Sequence, residues 1–337
     1  MQVRPDAESA RTDERHVARL VRSGLSRVLP QVELPADALL AYPGYHAAAH
    51  RAQRLARQGA PATERLDRLA ADLLTVGDRA RASAQRAGRR TGAGRWPVDL
   101  PPAEEHLLES LNRARAGIPQ RPERAADLAA LTVTPWSARH HEVFDEADRL
   151  LARVWPAMRT ELASVVRQVA LLDGWGIDGF TDFTVHGVVF VNSARVVTDA
   201  PKDPDVLPLP APLPLVEALV HEGTHNRCDA AAVNAPFFTD TPTELLKTPL
   251  RADPRPLTGL FQQVVVLARS VLLYERLLAA PNDLRGGARA AAEARYDLLT
   301  AELADGCATL GGQRTVLTEH GRGLLAQARE VLEHAAR

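Results

Sequence analysis

The chain has 337 residues, 45% of them hydrophobic, which is enough to bury a substantial core in one large domain or two moderate ones. Its formal net charge is −1, so no overall positive field favours nucleic acid or an anionic membrane. Its basic residues are almost all arginine, with lysine only at Lys202 and Lys247, and we attribute this to codon bias rather than to nucleic-acid binding.

The sequence predicts a cytoplasmic protein. Its first residues lack the apolar stretch of a signal peptide, and no uninterrupted apolar run approaches the ~20 residues that a membrane span needs. Two cysteines, Cys228 and Cys307, are too few for a disulfide framework and fit a reducing compartment.

The first part of the chain has the pattern of amphipathic helices. Helical periodicity covers residues 14–28, 45–90 and 103–116. The breaks fall at Pro30, Pro43, Pro61 and the loop at residues 90–97. We therefore predict an N-terminal helical region over residues 1–130.

The middle of the chain changes from helical to extended character. Residues 137–172 have a long amphipathic pattern with a potential interruption at Pro156, and glycines between residues 174 and 179 end it. Residues 183–197 are strongly β-branched and predict a strand pair or hairpin. The predicted fold is mainly α and bundle-like, with one small β element.

A helix with a metal-binding pattern follows a proline-rich segment. Residues 200–214 cannot be helix interior, whereas residues 215–232 contain no proline and one glycine. This core helix carries His-Glu-Gly-Thr-His from His221 to His225. Residues four apart share a helix face about 6 Å apart along the axis, so both imidazoles can bind one metal ion while Glu222 faces a water or substrate.

A rigid, charged segment comes next. Prolines 254 and 256 fix the backbone around Arg251, Asp253 and Arg255. Such a segment can present a guanidinium to a carboxylate, or form an Arg–Asp pair that caps the following helix. That helix covers residues 257–280, and further helices are predicted at residues 288–303 and 318–336.

Several of these residues together resemble a known family. The motif from His221 to His225, the segment Arg-Ala-Asp-Pro-Arg-Pro-Leu-Thr-Gly from Arg251 to Gly259, and a helix with Ala268-Arg269 resemble the His-Glu-x-x-His proteins encoded beside ribosomally made peptides. Characterised members of that family resemble 2-oxoglutarate-dependent iron peptide β-hydroxylases. The resemblance covers about residues 131–330, and we assign residues 131–337 to a metal-binding domain.

The resemblance implies a site for Fe(II) and 2-oxoglutarate. His221 and His225 would bind the metal, leaving positions for the cosubstrate and for O₂. Arg255, and after it Arg251, would bind the distal carboxylate of 2-oxoglutarate, because the pairing of arginine with a carboxylate is strong and directional. Glu222 would orient ligands. The reaction would be hydroxylation of a side-chain carbon in a peptide, and the region over residues 1–130 would help to recognise its leader or core.

One position departs from the family pattern. Three residues after Gly259 the family usually has a histidine, and here that residue is Gln262. If the histidine is a metal ligand in relatives, this chain binds the metal through the oxygen of Gln262, recruits another group, or leaves the position open.

Two alternatives remain. A zinc metallopeptidase needs a third protein ligand, for which Glu275 is a candidate, with Glu222 as general base. Asp229 is a poorer ligand candidate because it lies about 12 Å from His221 along a straight helix. The other alternative is a binding protein with a degenerate metal site, which Gln262 favours.

Overall fold

The protein is mainly α with a small mixed β-sheet, which confirms the predicted fold class. The structure is a computed structural model, and it describes residues 1–58, 63–91, 94–118, 122–197, 209–240, 245–248, 251–280, 284 and 286–335. Two predicted features, the break at Pro61 and most of the proline-rich segment at residues 200–214, lie outside these ranges.

The described ranges contain twelve α-helices. They are α1 (Ala7–Val28), α2 (Asp37–Leu40), α3 (Pro43–Arg57), α4 (Thr63–Arg90), α5 (Glu105–Gly117), α6 (Pro122–Ala130), α7 (Ala138–Val154), α8 (Pro156–Val165), α9 (Leu213–Asn234), α10 (Leu257–Ala279), α11 (Gly287–Gly311) and α12 (Glu319–Ala335). Most of the helices predicted from periodicity are therefore present, although α1 begins seven residues before the predicted start at 14 and α11 ends eight residues after the predicted end at 303.

The strands form two small sheets. They are β1 (Thr132–Thr134), β2 (Gln168–Asp173), β3 (Gly179–Phe180), β4 (Val188–Asn192), β5 (Leu245–Thr248) and β6 (Arg251–Pro256). The first sheet has the order β1-β2-β4-β3, with β2 and β4 parallel and the outer pairs antiparallel. The strands β5 and β6 form an antiparallel pair.

The middle of the chain differs from its prediction. The amphipathic stretch at residues 137–172 is two helices and then β2, and residues 183–197 contain the single strand β4 rather than a hairpin. The antiparallel partner of β4 is β3, which precedes the predicted stretch, and its parallel partner is β2. Since residues 169–172 of β2 are a run of buried apolar residues, their periodicity does not distinguish a strand from a buried helix.

The chain forms two compact units. We call residues 11–145 and 163–197 the N-terminal unit, and residues 1–10, 146–162 and 198–337 the C-terminal unit. The predicted single boundary near residue 130 does not describe this division. Residues 131–145 and 163–197 join the N-terminal helices because β1, β2 and β4 share an apolar core with α5 and α6.

The N-terminal unit contains two apolar clusters. One joins the end of α1 to α2, α3 and α4 through residues such as Leu25, Leu40 and Leu73. The other lies between the sheet and α5, and includes Leu107 and Phe190. The second cluster includes residues of both β2 and β4, whose side chains are almost all buried, as expected for parallel strands.

In the C-terminal unit, α10 is the central helix and packs against α9, α11 and α12. Among the described residues it is the one helix long and apolar enough to cross a membrane, but 78% of its most apolar window is buried inside the protein. Such burial is typical of the core helix of a water-soluble fold.

The histidine His46 of α3 makes the N-terminal unit sensitive to acid. It is buried, and burial, together with the charges of His186 and His50, lowers its pKa well below the ordinary value of 6.5. Below that value the unfolded chain binds the proton and the folded chain does not, so stability is complete above pH 6.5 and falls as the pH drops through it. We expect urea unfolding to show a loss of about 1 kcal/mol from His46 for the first pH unit below this value.

The matched variant is His46→Gln, which keeps a hydrogen-bond donor and removes the titration. Its stability should vary less between about pH 7.5 and pH 5.5 than that of the unaltered protein. An equally steep loss in both proteins would show that His46 does not cause it.

Candidate metal centre

The helix that carries the motif is held on one side by a buried carboxylate. Glu217, one turn before His221 on α9, accepts a hydrogen bond from the Tyr274 hydroxyl at 2.6 Å. It also accepts two from the Arg295 guanidinium, at 2.6 and 3.1 Å. Burial lowers the pKa of Arg295, but the hydrogen bond and charge of Glu217 outweigh it and raise the pKa. These contacts tie α9 to α10 and α11.

A second buried ion cluster lies on the other side of the motif. Glu161 of α8 is 2.6 Å from Arg269 Nη1 and 3.8 Å from Arg227 Nε, and all three side chains are almost fully buried. Arg269 also donates to the carbonyls of Gln2 and Val3. Arg269, the charged residue that α10 carries into the core, thus has partners, as a buried charge requires. Together the two clusters hold α9 before and after the motif.

The structure brings the two predicted metal-binding histidines together. The rings of His221 and His225 lie on one face of α9 with their centroids 5.3 Å apart, and both are half-buried. Glu222 is only 8% exposed. The arrangement follows from their spacing of four residues on a regular helix.

Gln262 of α10 lies directly beside this pair. Its Oε1 is 2.8 Å from His225 Nδ1, and its Nε2 donates to Asp229 Oδ1 at 2.7 Å. A carboxylate only accepts hydrogen bonds, so the amide nitrogen must face Asp229 and the amide oxygen must face the imidazole. The hydrogen of the neutral imidazole is then on Nδ1, which leaves the Nε2 lone pair of His225 available to a metal.

These residues fit a metal held by two imidazoles. Hydrogen bonding of the second ring nitrogen to an acceptor is the usual arrangement for a metal-binding histidine, because it sets the tautomer and the ring orientation. Gln262 has this role towards His225 in the structure, with its oxygen on the imidazole. Among the residues that the structure describes, no cluster of three His, Cys, Asp or Glu side chains could hold a metal ion.

A cleft of about 440 Å³ opens beside Gln262. It is lined by the C-terminal end of α9, the segment after it and the first turns of α10: Ala232, Pro236, Phe237, Phe238, Thr239, Asp240, Thr258 and Gln262. Phe237 stacks on Phe261 with the ring centroids 4.8 Å apart, which gives the cleft an ordered apolar wall. This volume is in the range of small-molecule sites.

The two predicted carboxylate-binding arginines fall on β6. The backbone of Arg251 and Arg255 pairs with β5, and Arg255 comes two residues before α10 begins. Their side chains lie outside the described part of the structure. The strand therefore leads the chain to the end of α10 that borders the cleft.

The structure separates Glu275 from the histidine pair. Gln262 contacts His225, and Glu275 is thirteen residues further along α10, about 20 Å away along the axis. Glu275 lies 3.5 Å from His334. It is therefore not placed to be the third ligand of a zinc site at His221 and His225.

The structure also shows the surroundings of Asp229 and Cys228 on α9. Asp229, a poor candidate for a metal ligand, accepts a hydrogen bond from Gln262. Its spacing of four residues from His225 was the signal for this role, because both side chains then face the same neighbour. Cys228 is buried, and burial raises the pKa of its thiol to about 12, so it is protonated at neutral pH.

The chain matches no protein-family model, and it matches no curated protein sequence.

Proposed function

We propose that the protein is a cytoplasmic oxygenase that uses Fe(II) and 2-oxoglutarate to hydroxylate a side-chain carbon of a ribosomally made peptide or a similar amino-acid substrate. The observation that carries the proposal is the contact between Gln262 and His225. Position 262 is where the resembled family usually has a histidine, and here it borders both the histidine pair and the cleft. A side chain at this position is therefore placed to shape the metal centre.

The metal ligands in this proposal are His221 and His225. The two hydrogen bonds of Gln262, one to Asp229 and one to His225, orient the imidazole of His225, so that its Nε2 is the ligating atom. When bound, Fe(II) supplies the oxygen chemistry that no side chain can carry out. With two imidazoles as protein ligands, coordination positions remain for the two donor atoms of 2-oxoglutarate.

The cosubstrate has two carboxylates, and the cleft has features that suit them. Thr258, in the first turn of α10, lines the cleft, and the N-terminus of a helix favours negative charge. Gln262 follows Leu257, the first residue of α10, by about 8 Å along the axis. We assign the distal carboxylate to Arg255, with Arg251 as the second choice, because β6 ends where α10 begins.

The substrate side chain would enter along the wall formed by Phe237 and Phe238. The apolar rings would exclude water from the reacting carbon. Glu222, buried next to His221, would orient ligands at the centre rather than transfer a proton. The substrate is proposed to be a precursor peptide with a leader, recognised in part by the N-terminal unit.

The proposal is tested with anaerobic protein. Fe(II) and 2-oxoglutarate together should produce a metal-to-ligand charge-transfer band, and Arg255→Ala should weaken it because the cosubstrate loses its distal anchor. Arg289→Ala, at an exposed arginine of α11, is the matched control and should leave the band unchanged. Conversion of 2-oxoglutarate to succinate under air gives a second readout.

Two results would contradict the oxygenase. Tight stoichiometric zinc with peptide cleavage that Glu222→Gln abolishes would assign the site to a zinc metallopeptidase. Metal binding without any response to 2-oxoglutarate, in absorption or in succinate formation, would assign it to a binding protein with a degenerate centre.

A further inference from the structure

The N-terminal unit contains a cavity that the metal centre does not use. Its volume is about 240 Å³, and it is lined by residues of α3, α4 and α5 together with Tyr42. Part of its lining is apolar, with Ala47, Ala48, Leu69 and Val76. A space of this size holds a group about as large as one amino-acid side chain.

The aromatic part of the lining has its polar atoms already bonded. The Tyr42 hydroxyl donates to Glu104 at 2.8 Å, and His106 Nε2 is 2.8 Å from Gln168 Oε1. Gln168 Nε2 donates to the same Glu104 carboxylate, so its oxygen faces the imidazole and accepts from it. Burial lowers the pKa of His106, so the ring is neutral. These two residues therefore provide apolar ring surface to a ligand rather than charge.

The charged residues in the cavity lining are Asp72 and two arginines that share the carboxylate of Glu105. Glu105 Oε1 is 3.6 Å from Arg51 Nη2, and Glu105 Oε2 is 3.4 Å from Arg79 Nη1. Both distances are longer than the 2.7–2.9 Å of a good charge-assisted hydrogen bond. The Glu105 side chain is 58% exposed, so it can leave for solvent at little cost.

Arg51 has two further carboxylates around it. It is ion-paired with Glu109, and Asp72 Oδ2 lies 3.9 Å from its Nη1. Arg79 is more exposed, at 36%, than Arg51, at 25%. A new anion would therefore bind mainly through Arg79, with Arg51 as the second donor, and would take the place of Glu105 rather than that of Glu109.

We propose that this cavity binds the carboxylate of a small amphipathic acid, and that Glu105 occupies the carboxylate position when no ligand is present. The ligand's carboxylate replaces that of Glu105 between Arg79 and Arg51, so the local charge balance is conserved. Its branched apolar tail packs against Leu69, Val76 and the Tyr42 ring. Free short-chain acids and the C-terminal residue of a peptide share this chemistry.

The test measures binding to the full-length chain by calorimetry or ligand-observed NMR. Isovalerate is the probe, and isovaleramide, which has the same shape without the charge, is the control ligand. Isovalerate should bind and isovaleramide should bind at least roughly five-fold more weakly. Arg79→Ala should remove this preference, whereas Arg68→Ala, at an exposed arginine of the same helix, should keep it.

Glu105→Gln is the most informative variant. If the Glu105 carboxylate competes with the ligand for the two arginines, the variant should bind isovalerate roughly two- to five-fold more tightly. If Glu105 only holds the arginines in position, the variant should bind isovalerate equally or more weakly. Glu64→Gln, at an exposed carboxylate of α4, is its matched control and should change nothing. Unchanged or weaker binding in Glu105→Gln, or equal binding of acid and amide to the unaltered protein, overturns the proposal.

A second pair of probes distinguishes a peptide C-terminus from a free acid as the ligand. A tripeptide that ends in leucine with a free carboxyl group is compared with its C-terminal amide. Tighter binding of the peptide acid than of isovalerate identifies a peptide C-terminus as the ligand, and the reverse order identifies a free acid. Failure of both acids to bind at millimolar concentration overturns the proposal.

Discussion

Glu161→Ala should lower the free energy of unfolding by about 3–5 kcal/mol, the cost of breaking a buried ion pair from one side. Glu161 is 1% exposed and lies between Arg269 and Arg227, which are both fully buried. Its second oxygen also accepts from the Asp6 backbone nitrogen at 2.7 Å. Removing the carboxylate takes away the anion that these two guanidinium groups share in a low-dielectric core.

Urea unfolding followed by circular dichroism measures this loss. Glu161→Gln separates charge from shape, because it fills the same space and can still accept one hydrogen bond, and it should lose most of the same stability. Glu293→Gln is the control, since Glu293 pairs with Arg289 at the surface and should cost less than about 1 kcal/mol. A loss in Glu161→Ala no larger than in this control would show that the cluster does not stabilise the unit.

His225→Ala should weaken metal binding by at least roughly a hundredfold, and His221→Ala should do the same. Each imidazole provides one of the two protein ligands that we assign, so one substitution leaves a single ligand on α9. His334→Ala is the control, because this histidine near the end of α12 is 68% exposed. Titration with Fe(II) without oxygen, or with Zn²⁺ in competition with a chelator, gives the dissociation constants.

Variants of Asp229 and Gln262 test whether Gln262 orients His225 or binds the metal itself. If Gln262 orients His225, then Asp229→Ala should weaken metal binding by roughly ten- to a hundredfold, although Asp229 is not itself a ligand. Gln262→His should tighten it, because a third imidazole is added at a position next to His225. No change in either variant would contradict the role of these two residues at the centre.

Local pattern was enough to predict α9, α10 and the meeting of His221 with His225. Helical periodicity and proline breaks are properties of neighbouring residues, and a spacing of four on a helix sets a geometry without tertiary information. The contact of Gln262 with the pair was anticipated only through the family resemblance. Its two-sided hydrogen bonding was not, because it depends on how α10 packs against α9.

The features that the sequence did not reveal depend on distant partners. The strand β2 is determined by pairing with β4 and β1, and nothing in its own apolar run distinguishes it from the end of a helix. The division into two units depends on contacts between segments far apart along the chain. Glu161 and Arg269 are 108 positions apart, so neither could be matched to the other by spacing.

The arrangement of the C-terminal unit has a consequence for synthesis on the ribosome. Residues 1–10 and 146–162 belong to the same unit as α9 and α10, which emerge later. The carboxylate of Glu161 must therefore wait for Arg227 and Arg269, whereas every residue of the N-terminal unit precedes residue 198. Since domains generally fold as units during translation, we expect the N-terminal unit to fold first and the C-terminal unit, with the helix that carries His221 and His225, to fold afterwards.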